Sequence, residues 1–219
     1  MQQVFTFVNH LVKFMSKLVK DKTTEEKILD AARKVFVTKG MYGARMQDIA
    51  DEAGINKALL HYHFENKEKL FETVFLEAAG QLFPRVNAIF NSDEPLFEKI
   101  EKFCDEYITI VIANPYLPLF VMNEMMQDPM YFMKKVWGTK NKPDPTNFLK
   151  QIQEEVEKGN IKPISPLHLL MNLISMTIFP FIAKPMFQLN LGLDEFQFRH
   201  AMEQRRKEIP KFIIDAIRK

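Results

Sequence analysis

The segment 46–64, MQDIADEAGINKALLHYHF, contains two short helical patterns that a single glycine separates. In the first pattern Ile49 and Ala53 fall on one face. Gly54 follows where the chain must turn tightly, and Asn56 is a favoured N-cap residue for the second pattern. Two short helices joined by a glycine-containing turn form a helix-turn-helix unit, so this segment predicts a helical fold.

Helical patterns continue on both sides of this unit. Upstream, Thr23 and Glu26 have the spacing of a capping box, and Gly40 is expected to end the helix that they begin. Downstream, Asn66 is a favoured N-cap for a long apolar run that Pro84 is expected to kink or end. The chain has only 7 glycines in 219 residues, too few for the turns of an all-β fold. We therefore predict an all-α fold.

The composition limits the cellular compartments and the binding partners that fit this chain. The single cysteine, Cys104, excludes an intramolecular disulfide and a cysteine-rich zinc site, which fits a reducing, cytoplasmic location. No stretch is long and apolar enough to span a bilayer, and no stable membrane association is expected. The net charge of +2 does not indicate a nucleic-acid protein, so any affinity for DNA must come from the placement of a few cations.

Residues 1–22 carry apolar side chains at helical spacing, with lysines mostly on the opposite side, and predict an amphipathic N-terminal extension. The extension lacks the cationic start and the small-residue cleavage site of a secretory signal. We favour a helix that packs on its own protein, or translated sequence ahead of a start at Met15, over a helix that lies on a membrane surface.

The second helix of the unit combines two apolar anchors with aromatic and basic side chains. Leu60 and Phe64 are four residues apart, and if both face inward then Leu59, His61 and His63 cannot all be buried with them. The N-terminal residues of such a helix face base edges in the major groove of DNA. Ordinary surface histidines are the alternative, and the spacing of the two histidines is not that of a metal pair.

Residues 24–71, in the order TEEKILDAARKVF and MQDIADEAGINKALLHYHFENKEKLF, resemble the DNA-binding domain of the TetR (tetracycline-repressor) family of bacterial transcription regulators. The shared features are the glycine turn, the aromatic run that ends in Phe64, and NKEKLF at the start of a fourth helix. The resemblance implies a homodimer in which a small molecule entering a C-terminal domain changes the separation of two DNA-binding units. We divide the chain into the extension at 1–22, a helix-turn-helix DNA-binding domain at 23–69, and a larger helical ligand-binding and dimerisation domain at 70–219.

The resemblance implies two groups of contacts with double-stranded DNA. Contacts with the phosphate backbone are expected from Arg45, Gln47, His61, Tyr62, His63 and Lys67. Contacts with base edges are expected from Lys57, Ala58 and Leu59. The family usually has Ser or Thr where Ala44 and Arg45 stand, so a cationic phosphate contact is expected in place of the usual helix cap. It also usually has Tyr where His61 stands.

The last two helical patterns, 167–191 and 194–218, carry more apolar surface than one small core needs. We predict that they pair with the same helices of a second copy, because a palindromic operator requires two DNA-binding units at fixed spacing. Ordinary packing within the chain accounts for part of the same pattern. Pro180 and Pro210 are expected to interrupt these two helices.

The segment 119–137, LFVMNEMMQDPMYFMKKVW, is rich in methionine and aromatic residues. Flexible, polarizable methionine side chains suit a surface that accepts several apolar shapes, so the segment indicates a ligand pocket, although such a stripe is more often plain core. The expected pocket residues are Phe103, Tyr107, Met122, Met126, Trp137, Met176 and Phe179, with Asn123 and Asn172 as polar partners.

Together these features predict a ligand-responsive, sequence-specific DNA-binding transcriptional regulator, and family habit favours a repressor. Its ligand is expected to be a small apolar or amphipathic molecule. No cofactor, metal or catalytic residue is expected, because the sequence has no glycine-rich phosphate loop, metal-ligand cluster or nucleophile motif. The alternative is a helical small-molecule-binding protein whose DNA-binding unit no longer binds. The excess of acidic over basic residues between positions 45 and 69 favours that alternative.

Overall fold

The computed structural model describes residues 23–127, 129–130, 134 and 142–219, without the side chains at positions 120, 123, 124 and 127. The predicted extension at 1–22 lies outside the described residues. Ten helices have both ends within the described part, where no strand forms, which confirms the all-α prediction. They are α1 (Thr24–Gly43), α2 (Met46–Ala53), α3 (Lys57–His63), α4 (Lys67–Phe90), α5 (Leu96–Ala113), α6 (Leu117–Gln127), α7 (Thr146–Glu157), α8 (Pro166–Ile182), α9 (Lys184–Leu191) and α10 (Glu195–Ile217).

The apolar stripe of α1 packs against α2, and α2 packs against α3. Thr23 and Glu26 form the predicted capping box, with backbone-to-side-chain hydrogen bonds of 2.8 and 3.2 Å. Regular helix breaks at Gly40, whose φ is 67°, before a last turn completes α1. Gly54 turns the chain between α2 and α3 with a φ of 68°, which lies in the left-handed region that glycine favours. The side chain of Asn56 then caps α3 with a hydrogen bond of 2.8 Å, so the predicted helix-turn-helix unit is confirmed.

The 24-residue helix α4 joins this unit to the rest of the chain. The Asn66 side chain caps it by accepting the backbone N–H of Lys69 at 2.8 Å. The helix continues past Pro84 to Phe90, so the proline does not end it. At its C-terminal end Nζ of the buried Lys99 donates to the carbonyl of Phe90 at 3.2 Å. A cation therefore lies at the negative end of the helix dipole, although burial lowers the pKa of Lys99.

Pro180 and Pro210 lie inside α8 and α10, so the prediction that they interrupt these helices is wrong. Pro180 has no N–H to offer the carbonyl of Met176 four residues earlier. Nη2 of Arg205, on α10, donates to that carbonyl at 2.8 Å and replaces the missing backbone donor. The predicted single apolar helix divides instead at Ala183, where α8 and α9 meet at a bend of 66°.

α8 packs against α5, α6, α7 and α10, so its inner face belongs to the core. Within the described residues no single helix has the length and apolar composition that crossing a bilayer requires. α8 and α9 meet that requirement only as a pair, across the bend between them.

The reactivity of the single cysteine tests how tightly the core is packed. Cys104 has 0% exposure in α5, and its Sγ lies 3.9 Å from the hydroxyl oxygen of Thr177 on α8. Burial raises the pKa of the Cys104 thiol to about 12. Because the thiolate is the reactive form, we expect a disulfide reagent at mildly alkaline pH to label the native protein at least roughly 100-fold more slowly than the protein unfolded in guanidinium chloride. Rapid, complete labelling of the native protein would contradict this packing.

Candidate DNA-binding surface and ligand cavity

Helix α3 presents a row of exposed side chains above two buried anchors. Leu60 has 0% exposure and Phe64 has 8%, whereas Tyr62 has 84%. The exposed positions of α3 are Lys57, Ala58, Leu59, His61, Tyr62 and His63. The predicted division between the inner and outer faces of this helix is therefore confirmed.

Two local contacts orient the rings on the outer face of α3. Nδ1 of His61 lies 3.1 Å from the backbone carbonyl oxygen of Glu65. The rings of Tyr62 and His63 meet edge to face, with centroids 5.5 Å apart. Since a carbonyl oxygen only accepts, Nδ1 of His61 carries a proton in this contact, and Nε2 is the ring nitrogen left for other partners.

Three further predicted DNA contacts lie around α2. Arg45 is exposed at the N-cap position of α2, and Nε2 of Gln47 donates to Oδ1 of Asp51 at 2.7 Å. Nζ of Lys67 donates to the carbonyl of Ala44 at 3.2 Å, so the start of α4 is bound to the residue that precedes α2. No local sequence pattern indicates this second role of Lys67, because Ala44 lies 23 positions away. An ammonium group has three N–H donors, so the contact leaves donors for a phosphate.

Two acidic residues of α2 are neutralised by lysines of α1. Nζ of Lys39 lies 2.9 Å from Asp48, and Nζ of Lys34 lies 2.8 Å from Glu52. The hydrogen bond from Lys39 is the main reason that the pKa of Asp48 is lowered, and the hydrogen bond to Glu52 raises the pKa of Lys34. The acidic excess between positions 45 and 69 is therefore smaller in the fold than in the sequence.

An apolar cavity of about 270 Å³ lies between α4, α5, α6 and α8. Tyr107 of α5 is the only polar side chain among the described residues that line it. On the α6 side the wall includes Met122 and Met125, both partly exposed. The side formed by α4 consists of Phe75, Ala79, Leu82 and Phe83. The helix that begins directly after the helix-turn-helix unit therefore forms one wall of the cavity.

Of the predicted ligand-binding residues, the cavity brings together Tyr107 and Met122. Phe103 is buried behind Tyr107, with their ring centroids 5.6 Å apart, and does not line the cavity. Met176 packs partly buried against the core, where its carbonyl is bound by Arg205. The walls from α4 and α8 escaped sequence analysis because an ordinary buried helix stripe and a cavity wall have the same spacing.

The other predicted ligand-binding residues lie away from these walls or outside the described part. Met126, Asn172 and Phe179 are exposed and do not line the cavity. Trp137 and the side chain of Asn123 lie outside the described residues. The assignment of all these residues to a ligand stays a prediction.

Residues 28–74 match the family model described as bacterial regulatory proteins of the tetR family. The match spans most of α1, all of α2 and α3, and the start of α4, the part of the chain that carries the exposed surface above. The helix-turn-helix unit of this chain is that of the TetR family. The resemblance seen in the sequence is thereby confirmed.

Similar proteins match this chain over longer stretches. The chain is 24% identical over 109 residues to the fatty acid metabolism regulator protein of Bacillus subtilis, which covers 50% of this chain and 56% of that protein. It is 26% identical over 195 residues to the transcriptional regulator RutR of Escherichia coli O157:H7. That match covers 87% of this chain and 89% of RutR. The solved structure of the ketosteroid transcriptional regulator KstR2 of Mycobacterium tuberculosis matches with a TM-score of 0.64 at 15% identity, over 91% of this chain and 97% of that one. The TetR-family fold therefore extends well beyond the matched N-terminal segment.

In this TetR-family fold an aromatic cluster joins the helix-turn-helix unit to the larger helical part. Phe36 of α1 meets Phe71 of α4 edge to face at 4.6 Å, and the Phe71 ring lies 5.5 Å from that of Tyr116 in the turn between α5 and α6. Arg33 of α1 also pairs with Glu77 of α4 at 2.5 Å. Because the two residues after Tyr116 line the cavity, the cluster connects the cavity wall to α1 as well as to α4.

Proposed function

We propose that this chain is a homodimeric transcriptional repressor that releases a palindromic DNA operator when a small, mostly apolar molecule enters the cavity. The DNA-binding part of the proposal is carried by one observation. The N-terminal end and outer face of α3 are exposed, while Leu60 and Phe64 fix the helix to its bundle. Lys57, Ala58 and Leu59 are assigned to base edges, because the exposed N-terminal residues of a recognition helix reach them.

The phosphate contacts are assigned to five exposed residues around α2 and α3 and to one partly buried lysine. The exposed residues are Arg45, Gln47, His61, Tyr62 and His63, and the partly buried lysine is Lys67. His61 is a special case, since a phosphate oxygen accepts hydrogen bonds and does not donate them. With Nδ1 already protonated toward Glu65, Nε2 donates to a phosphate only in the imidazolium form.

The dimer interface is assigned to α8 and α10. Leu167, Met171 and Ile174 are exposed along one face of α8, and Phe196 and Phe212 are exposed on α10. Apolar side chains left in water on two helices that pack together favour a two-fold interface, in which one patch meets itself. Such an interface places two recognition helices at a fixed separation, as a palindromic operator requires.

Ligand control is assigned to α4. This helix forms one cavity wall with Phe75 and Leu82, and its first turn holds the helix-turn-helix unit through Lys67. A ligand that favours a shifted position of α4 changes the separation of the two recognition helices. Two similar proteins are named for fatty acid metabolism and for ketosteroids, which agrees with an apolar ligand.

The alternative, a ligand-binding protein without functional DNA binding, loses part of its support. The acidic excess around the helix-turn-helix unit favours this alternative. The ion pairs of Asp48 with Lys39 and of Glu52 with Lys34 offset part of that excess.

Selection of duplex DNA from a random pool by the purified full chain tests the proposal. At near-physiological salt we expect a palindromic motif with two half-sites, because a two-fold dimer presents two identical recognition helices. If no motif emerges and residual binding disappears with a modest increase in salt, the binding is non-specific and the regulator proposal fails.

A further inference from the structure

The cavity between α4, α5, α6 and α8 has a wall chemistry that selects its occupant. Its only polar side chain among the described residues is Tyr107, and no lysine, arginine, aspartate or glutamate is among the described lining residues. An anion or cation that entered would lose its hydration without gaining a charged partner, at a cost far greater than that of an uncharged molecule. The walls therefore favour an uncharged ligand.

Tyr107 supplies a single point for hydrogen bonding. No hydrogen bond of its hydroxyl is found among the described residues, and burial raises the pKa of this phenol. Tyr116 offers a contrast, because its hydroxyl donates to Oδ1 of Asn114 at 3.0 Å and it does not line the cavity. Tyr107 is partly buried in the cavity wall, and a lining hydroxyl with no partner among the described residues favours a ligand that accepts or donates one hydrogen bond there.

The other lining side chains and the cavity volume indicate the chemical type and the size of the ligand. Two further aromatic rings, Phe75 and Phe83, and two thioethers, Met122 and Met125, line the cavity. Aromatic rings and thioether sulfurs both make favourable contacts with aromatic ligands. A cavity of roughly 150 Å³ holds one benzene. The volume of about 270 Å³ is nearly twice that and suits about two fused rings.

We infer that this cavity binds an uncharged aromatic molecule of about two rings that forms one hydrogen bond with the hydroxyl of Tyr107. The inference deepens the proposed function and rests on it only for the consequence of binding. It predicts that carboxylates and other anions bind this cavity more weakly than uncharged molecules of the same size.

Equilibrium dialysis of the full chain with naphthalene, 2-naphthol and 2-naphthoate tests this inference. The three probes share a ring system and differ in one substituent. We expect 2-naphthol to bind about 2- to 10-fold more tightly than naphthalene, the effect of one buried hydrogen bond. We expect 2-naphthoate to bind more than roughly 10-fold more weakly than 2-naphthol, because no cation in the described wall compensates for its buried charge.

Two tyrosine variants locate the hydrogen bond. Tyr107→Phe should abolish the preference for 2-naphthol over naphthalene and leave naphthalene binding unchanged. Tyr116→Phe is the matched control, and it should keep the wild-type preference. Ala79→Leu adds volume to the cavity wall and should weaken all three probes, provided that circular dichroism shows a folded helical protein. Tyr107→Phe does not depend on that condition, because it keeps the ring.

Three results would overturn the inference. They are binding of 2-naphthoate as tight as that of 2-naphthol, an unchanged preference in Tyr107→Phe, and no binding of any probe to the wild-type chain. Dialysis contains no DNA, so failure of the DNA-binding proposal leaves these measurements unaffected. Conversely, a chain that selects a palindromic motif but binds none of the probes keeps its proposed function and loses this ligand class.

Discussion

Phe71→Ala is expected to lower the free energy of unfolding by about 3–5 kcal/mol, the usual loss when a large buried aromatic side chain is truncated. Phe71 has 0% exposure, and its ring contacts those of Phe36 and Tyr116. The surrounding side chains come from α1, α4 and the turn between α5 and α6, so three separate segments would have to move to fill the space. Urea unfolding followed by circular dichroism at one fixed protein concentration measures the change.

Leu76→Ala is the matched control for this variant. Leu76 lies in the same helix but is partly exposed, so its truncation should change the free energy of unfolding far less. Phe71→Leu keeps most of the buried volume and should fall between the two. If Phe71→Ala unfolds within about 0.5 kcal/mol of the wild-type protein, the aromatic cluster does not hold the two parts of the chain together.

Lys57→Ala is expected to weaken binding to the selected operator by about 1–3 kcal/mol per half-site and to relax the sequence preference at one base position. Lys57 is exposed at the N-terminal end of α3, where a recognition helix faces base edges. Because the palindrome has two half-sites, the effect on a dimer is up to twice that of one contact. Fluorescence anisotropy with the selected duplex and with duplexes altered at single positions measures both changes.

Lys67→Ala is the matched variant for a phosphate contact. It should weaken binding to all duplexes by a similar factor and reduce the salt dependence of binding, without changing the preferred sequence. Loss of its hydrogen bond to the Ala44 carbonyl also loosens the start of α4, so the unfolding curve of this variant must be recorded beside the binding data. Equal effects of the two variants on sequence preference would contradict the division between base and phosphate contacts.

Local signals predicted the N-terminal part of this fold well. The caps formed by Thr23, Asn56 and Asn66 and the turn at Gly54 each depend on residues within three positions of one another, so the sequence displays them directly. The exposed face of α3 followed from the four-residue spacing of its anchors. The proposed boundary between positions 69 and 70 stays a prediction, and it falls within the first turn of α4.

Local sequence patterns do not predict which distant segments contact one another. Pro180 predicts a helix break, and only the packing of α10 on α8 shows that Arg205 replaces the missing donor at the Met176 carbonyl. The cavity has the same origin, because its walls come from four helices and its α4 side has the spacing of any buried stripe. Methionine content directed attention to α6 but gave no means of separating Met122, in the wall, from the exposed Met126.

Reciprocal binding of DNA and a cavity ligand tests the central claim most directly. The affinity for 2-naphthol is measured with and without saturating operator, and the affinity for operator is measured with and without saturating 2-naphthol. Because the two sites are linked through α4, we expect each partner to weaken the other by the same factor, between about 5- and 150-fold. Operator and 2-naphthol affinities that do not change in each other's presence would contradict control of DNA binding by this cavity.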